Sequence, residues 1–164
     1  MANSLRLKRG VSPILAAAVL VALTVVLGVA LAATIMKPPE TKASVQFQVS
    51  GEAYRGDNVI YLTHMGGDPA YLGEVTIKTY IPSGTYQGVE YTISSLSGVS
   101  AKLNGNTVSG YETWKAGDVL EIPFDKAFGT GAYGLMAPNA GEQFIVEIYY
   151  GGQPAASCTI TVQP

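Results

Sequence analysis

The hydrophobic pattern changes character once along the chain. From Val11 to Met36 (VSPILAAAVLVALTVVLGVALAATIM) apolarity is continuous, no residue is charged, and the polar side chains are Ser12, Thr24 and Thr34. Ala, Leu and Val dominate, which suits a helix. Ser12-Pro13 predicts its start, with Ser12 as N-cap and Pro13 in the first turn. Lys37-Pro38-Pro39 predicts its end, because proline cannot donate and pushes the residue before it towards extended geometry. At about 1.5 Å per residue, the segment 11–36 would reach roughly 39 Å, more than the roughly 30 Å hydrocarbon core of a bilayer. Arg6, Lys8 and Arg9 precede it with no acid among residues 1–10, a bias that predicts a cytoplasmic N-terminus and an exported remainder.

Beyond a short polar linker, residues 37–44, continuous apolarity gives way to alternation. Val45-Gln46-Phe47-Gln48-Val49 has period two and one apolar face. Further strands are predicted at Asn58–His64, Val75–Ile81, Glu90–Leu96, Val99–Leu103, Val119–Phe124, Gln143–Tyr150 and Ser157–Val162. Turn-formers separate them: Gly66-Gly67-Asp68-Pro69, Pro82-Ser83-Gly84, Gly129-Thr130-Gly131 and Gly151-Gly152. Asn104-Gly105 predicts a tight hairpin, since both residues tolerate positive φ. No stretch after residue 45 has a helical period. The expected fold class is α+β: a long N-terminal hydrophobic α-helix followed by an all-β, immunoglobulin-like antiparallel sandwich head over residues 45–164.

Composition sharpens this division. The 164 residues carry 10 Lys+Arg, 12 Asp+Glu, one His and one Cys, for a net charge of −2. Only 13% are charged and 48% are hydrophobic, which excludes charge-driven disorder. There is no basic footprint for nucleic acid. The one cysteine, Cys158, cannot form an internal disulfide, and one Cys with one His cannot build a tetrahedral zinc site.

The residues predict no catalytic constellation, cofactor site or metal site. His64 stands at a strand end without triad spacing, so a hydrogen-bonded structural role is expected. Cys158 lies on an alternating strand and is expected to be buried as a small hydrophobe. Asp57, Asp68, Asp118 and Asp125 fall at loop positions, where Asp makes local turn bonds, and no D-x-D-x-D-G calcium loop is present. The glycine-rich run Gly129–Gly134 neither follows a parallel strand nor opens a helix, so a dinucleotide site is rejected. No N-x-[ST] sequon occurs. Thr24 is expected to bond its own helix backbone. Of the 10 tyrosines, alternate ones such as Tyr61 and Tyr149 are expected to pack in the sandwich with their phenol tips in water. The competing reading gives exposed tyrosines a part in lateral subunit packing or in contact with surfaces and sugars.

Three readings compete for the apolar segment: a cleavable secretory signal with Ala30-Leu31-Ala32 as its small-residue site, a plain single-pass anchor, and a third that turns on the residues just before it. The junction Lys8-Arg9-Gly10 directly before Val11-Ser12-Pro13-Ile14 resembles the class III signal of type IV prepilins, most closely that of the archaeal type IV pilin family. The resemblance implies that a prepilin peptidase cuts between Gly10 and Val11, removing the leader 1–10 and keeping 11–36. The residue five places into the mature chain is Leu15, where bacterial type IV pilins usually carry Glu; archaeal members commonly lack it. Archaellins usually start without this Val-Ser-Pro. The head adds looser similarity at Val59–Ile77, at Trp114-Lys115-Ala116-Gly117-Asp118, and in the final FIVEIYYGG and ASCTITV strands.

What the resemblance implies is a non-enzymatic structural subunit of an archaeal adhesion pilus, located at the cell surface. It would sit in the membrane before assembly and polymerise with itself into a helical homopolymer. The implied partners are the prepilin peptidase and a pilus assembly ATPase with its membrane platform; the adhesion target is unknown, and no nucleic acid or cofactor is involved. Small residues fit the packing role, with Ala18, Ala22, Gly28 and Ala32 as candidates and Gly28-xxx-Ala32 as a small-xxx-small pair. The alternatives are a membrane-anchored extracellular binding module that never polymerises, and a minor or tip pilin.

Overall fold

A computed structural model describes residues 13–35, 44–131 and 134–164. The chain divides into two compact units, residues 1–42 and 43–164.

The first unit contains a helix, α1, over Pro13–Ile35. Its side chains are described as far as Gly28, and that stretch measures about 24 Å at 1.5 Å per residue. Among the described residues no helix is long and apolar enough to cross a membrane. The expected N-cap Ser12 and the stop at Pro38-Pro39 lie outside the described residues.

The second unit is built of strands. In chain order they are β1 (Phe47–Tyr54), β2 (Val59–Gly67), β3 (Ala70–Tyr71), β4 (Val75–Tyr80), β5 (Glu90–Ile93), β6 (Lys102–Leu103) and β7 (Asn106–Thr107). There follow β8 (Thr113–Trp114), β9 (Val119–Pro123), β10 (Thr130–Gly131), β11 (Gly134–Leu135), β12 (Gln143–Tyr150) and β13 (Gln153–Gln163). Nine of them join in one sheet, ordered β5-β4-β12-β13-β1-β2-β9-β6-β7. The pairs β3–β8 and β10–β11 stand apart as small ribbons.

The expected fold class is therefore corrected. In place of a long apolar helix ahead of a two-sheet antiparallel sandwich, the chain is mostly β and carries one continuous curled sheet. The cause is a single parallel join. At their C-terminal ends β1 and β13 pair in parallel, Ala53 with Val162 and Tyr54 with Gln163, which stitches the two would-be layers together. Arg55 N–H extends the join by donating to the Gln163 carbonyl at 3.0 Å. Elsewhere the pairing is antiparallel, as the alternation predicts.

The curl closes over one core. Alternate residues point inward: Ile60 and Leu62 from β2, Leu120 and Ile122 from β9, Phe144, Val146 and Ile148 from β12, and Ile160 and Val162 from β13. Phe124, Phe128 and Phe144 meet edge to face or tilted, and each such ring buries a large apolar area. The Asn104-Gly105 hairpin forms as expected, with φ of +50° and +82° joining β6 to β7.

Candidate functional site: the apolar helix and the head surface

Helix α1 has no charged side chain to anchor and no polar face. Ile14, Leu15, Val19, Leu20, Val21, Leu23 and Val25 to Leu27 are all exposed, with Ile14 at 82%. A soluble helix shows one apolar stripe; this one is apolar all round, the pattern of a helix meant to be surrounded. Its one described polar side chain is satisfied internally, because Thr24 Oγ1 donates to the Leu20 and Val21 carbonyls at 3.0 and 2.8 Å. Ala18 and Ala22 are exposed, and a Cβ placed on Gly28 meets nothing within 4 Å, so close approach by another backbone is sterically free there. Ala32 lies within the helix, but its side chain is outside the described residues. The processing residues Lys8, Arg9, Gly10 and Val11 also lie outside them.

On the head, the reactive side chains are structural. His64 is fully buried, stacked on Phe47 at 5.1 Å between ring centroids and edge-on to Trp114 at 5.4 Å. Its Nε2 donates to the Asp68 carbonyl at 3.1 Å, which leaves Nδ1 bare and without a partner. Trp114 Nε1 donates to the Asp118 carbonyl at 3.1 Å. Cys158 is half-buried, and burial pushes its thiol up to about 11, away from a nucleophile's range.

Of the four loop aspartates, Asp118 makes the expected local turn bond, while Asp68 and Asp125 bond to residues distant in the chain. Asp68 accepts from Gln46 N–H at 3.2 Å, Asp118 from Lys115 N–H at 2.9 Å, and Asp125 from Asn58 Nδ2 at 3.1 Å. Asp57 makes neither kind of bond; it lines an open cleft of about 350 Å³ with Tyr61, Lys102 and Glu121. Among the described residues no group of three or more His, Cys, Asp or Glu side chains gathers as metal ligands.

The tyrosine expectation needs correction. Tyr61 and Tyr149 alternate with buried neighbours, so they stand on the outer surface of the sheet and not in its core. Tyr149 is held there by its hydroxyl donating to Glu147 at 2.9 Å and by the Lys78 ammonium 5.5 Å from its ring centroid. The inward places are taken mainly by Ile, Leu, Val and Phe, and the buried Thr79 hydroxyl among them is satisfied by donating to the Ala127 carbonyl at 2.6 Å.

No protein-family model matches the sequence, and no curated protein matches it. Among solved structures the chain is similar to the archaellum periplasmic stator protein FlaG from Sulfolobus acidocaldarius, with 15% identity over 70% of this chain and 98% of that one, at a TM-score of 0.40. It is also similar to the stator complex of FlaF and FlaG from the same organism, with 13% identity over 74% and 94% and a TM-score of 0.41. The archaeal flagellum of Methanospirillum hungatei strain JF1 is similar at 18% identity over 93% and 94%, again with a TM-score of 0.41. At these values the likeness defines neither a fold family nor a function for this chain.

Proposed function

We propose that the chain is a structural, non-catalytic subunit of an archaeal surface filament of the type IV pilus class. The carrying observation is the order of residues at the N-terminus: Lys8-Arg9-Gly10, then Val11-Ser12-Pro13, then a segment with no charge to Met36. Cleavage after Gly10 removes the basic end and keeps the apolar segment. Copies then pack through it, with Ala18, Ala22, Gly28 and Ala32 as the close-approach positions.

The exposed side chains of α1 support this reading energetically. An apolar surface on all sides from Ile14 to Leu27 needs an apolar surround, which either lipid or other copies of the segment supply. Because no charge needs desolvation, moving the segment from lipid to a bundle of its own copies costs little. One contact repeated without closure produces a helical polymer. Prepilin peptidase, an assembly ATPase and its membrane platform are the partners this reading requires.

The test is N-terminal sequencing of the surface-exposed protein followed by electron microscopy of sheared surface material. A mature start at Val11 together with filaments built mainly of this chain supports the proposal. A start beyond Met36, or intact protein that stays solitary in the envelope, overturns it. Presence only at filament ends assigns the chain to the tip.

A further inference from the structure

We propose that the cleft on the outer face of the β2-β9-β6 region binds a hexopyranose unit of a glycan, with Asp57, Tyr61, Lys102 and Glu121 as its contacts. The inference is independent of the filament reading.

Register builds the site. Tyr61 pairs directly with Glu121, and Glu121 with Lys102, so the three side chains form one cross-strand row on the same face. Strand spacing makes that row about 10 Å long, the scale of one sugar ring with its hydroxyls. Asp57 closes one end from the turn between β1 and β2, and Ser100 and Pro123 complete the wall. The turn is rigid: Asn58 sits at φ +54°, its Nδ2 donates to Asp125 Oδ1 at 3.1 Å, and its Oδ1 accepts from Asp125 N–H at 3.1 Å. The Asn58 carbonyl also accepts from Phe124 N–H at 2.9 Å. The backbone beside Asp57 is thereby fixed, while its exposed carboxylate stays free to turn towards a ligand.

What sets this cleft apart is unused hydrogen-bonding capacity. Most other carboxylates among the described residues of the head take bonds from the protein, among them Glu52 from Tyr54, Glu90 from Lys78, Glu112 from Ser109 and Glu142 from Thr85. Asp57 and Glu121 take none among the described residues, and both face the same cleft. Lys102 and Glu121, although opposite each other, form no ion pair within 4.0 Å; the described pairs are Lys78–Glu90 and Lys126–Asp125.

The charge mixture selects the ligand. Two carboxylates repel a phosphate or other anion, and Lys102 in the same row disfavours a cation. A neutral ligand rich in both donors and acceptors fits all three. Carboxylates accept charge-assisted bonds from neighbouring hydroxyls, and the ammonium donates to hydroxyl oxygens. The half-buried Tyr61 ring offers an apolar face to the C–H side of the sugar. A volume of about 350 Å³ lies within the range of small-molecule sites.

The test is saturation-transfer NMR on the full chain, held in a detergent without a sugar headgroup. The probes are methyl α-mannopyranoside, methyl β-glucopyranoside and methyl β-galactopyranoside. Transfer to ring C–H protons of at least one probe is expected, abolished in Tyr61→Ala. Asp57→Asn and Glu121→Gln keep the shape of the exposed groups, so their melting should stay at the wild-type value while affinity falls about tenfold or more, the effect of weakening a charged hydrogen bond. Absence of transfer from all three probes overturns the proposal. Unchanged binding in both amide variants overturns it too, as does saturable calcium uptake by these carboxylates with no sugar transfer.

Discussion

Asn104 donates a hydrogen bond from its carboxamide nitrogen to the Asp118 carboxylate at 2.8 Å, and its carboxamide oxygen accepts from Val119 N–H at 2.9 Å. One side chain at the hairpin tip thus fixes both the loop before β9 and the start of β9 itself. The bond from Asn104, with Lys115 N–H behind it, holds the Asp118 carboxyl below its ordinary value of 3.8. Two other loops use the same device. The Ser109 hydroxyl and N–H hold Glu112 down to about 2, and Asn139 and Thr85 N–H groups hold Glu142 low.

Acid should therefore loosen these loops. A carboxyl whose folded value is depressed contributes stability that is complete above its unfolded value and is lost as pH falls through the folded one. Melting temperature should hold above about pH 5 and decline from there towards pH 2. Replacing all three together, by Glu112→Gln, Asp118→Asn and Glu142→Gln, should lower the plateau and flatten the decline. Melting curves across that pH range measure both; an unchanged slope in the triple variant would count against this origin.

Gly51 is the close-approach position on β1. A Cβ there would collide with the Ile160 side chain and come within 3.2 Å of Cys158 Sγ. Ile160 is buried and cannot swing away freely. Gly51→Ala should destabilise by about 1–3 kcal/mol, the usual cost of overpacking. The double variant with Ile160→Val should recover part of the loss, measurable as a coupling in chemical denaturation. Additive losses would show that the two positions do not share the space.

His64 serves by shape more than by proton chemistry. It fills the gap between Phe47 and Trp114, and only Nε2 has a partner. His64→Ala should cost about 3 kcal/mol through the cavity it leaves. His64→Phe removes the orphan Nδ1 but strands the Asp68 carbonyl, opposing effects of about 1–3 kcal/mol each. The Phe variant should consequently melt much closer to wild type than the Ala variant. Equal losses in the two would place His64 in a role that shape does not explain.

How far the sequence could be read follows from what each signal encodes. Period-two alternation located the cores of β1, β2, β4, β9, β12 and β13, because one buried face leaves that trace, whereas β5 buries only Ile93 and the predicted strand Val99–Leu103 forms only at Lys102–Leu103. It ended β1 too early, since Gly51 interrupts the alternation before Ala53 and Tyr54. The ribbon of Ala70-Tyr71 with Thr113-Trp114 is two residues long on each side, too short to have a period. Strand order leaves no periodic trace either, so the parallel join of Ala53 to Val162 and the resulting curled sheet were invisible. The cleft was hidden for the same reason: Tyr61, Lys102 and Glu121 are far apart in the chain and meet only through register.

The filament proposal makes one demand that a plain surface protein does not. If copies pack through the segment 11–36, a charge on it must be desolvated in every subunit, at about 2.5–3.5 kcal/mol per charge by membrane-insertion measures. Leu20→Lys places that charge among Val19, Val21 and Leu23, all exposed on α1 and therefore free to contact a neighbour. Filaments should disappear from sheared material when variant and wild type are compared at equal levels of processed, membrane-inserted protein, since the same charge also costs in the bilayer. Leu20→Met, which changes shape without adding charge, should leave filaments intact, since swaps of this kind cost less than about 1.5 kcal/mol. Filaments of normal number and length in Leu20→Lys would mean that copies are held together by their heads, and the packing role assigned to the apolar segment would fall with that result.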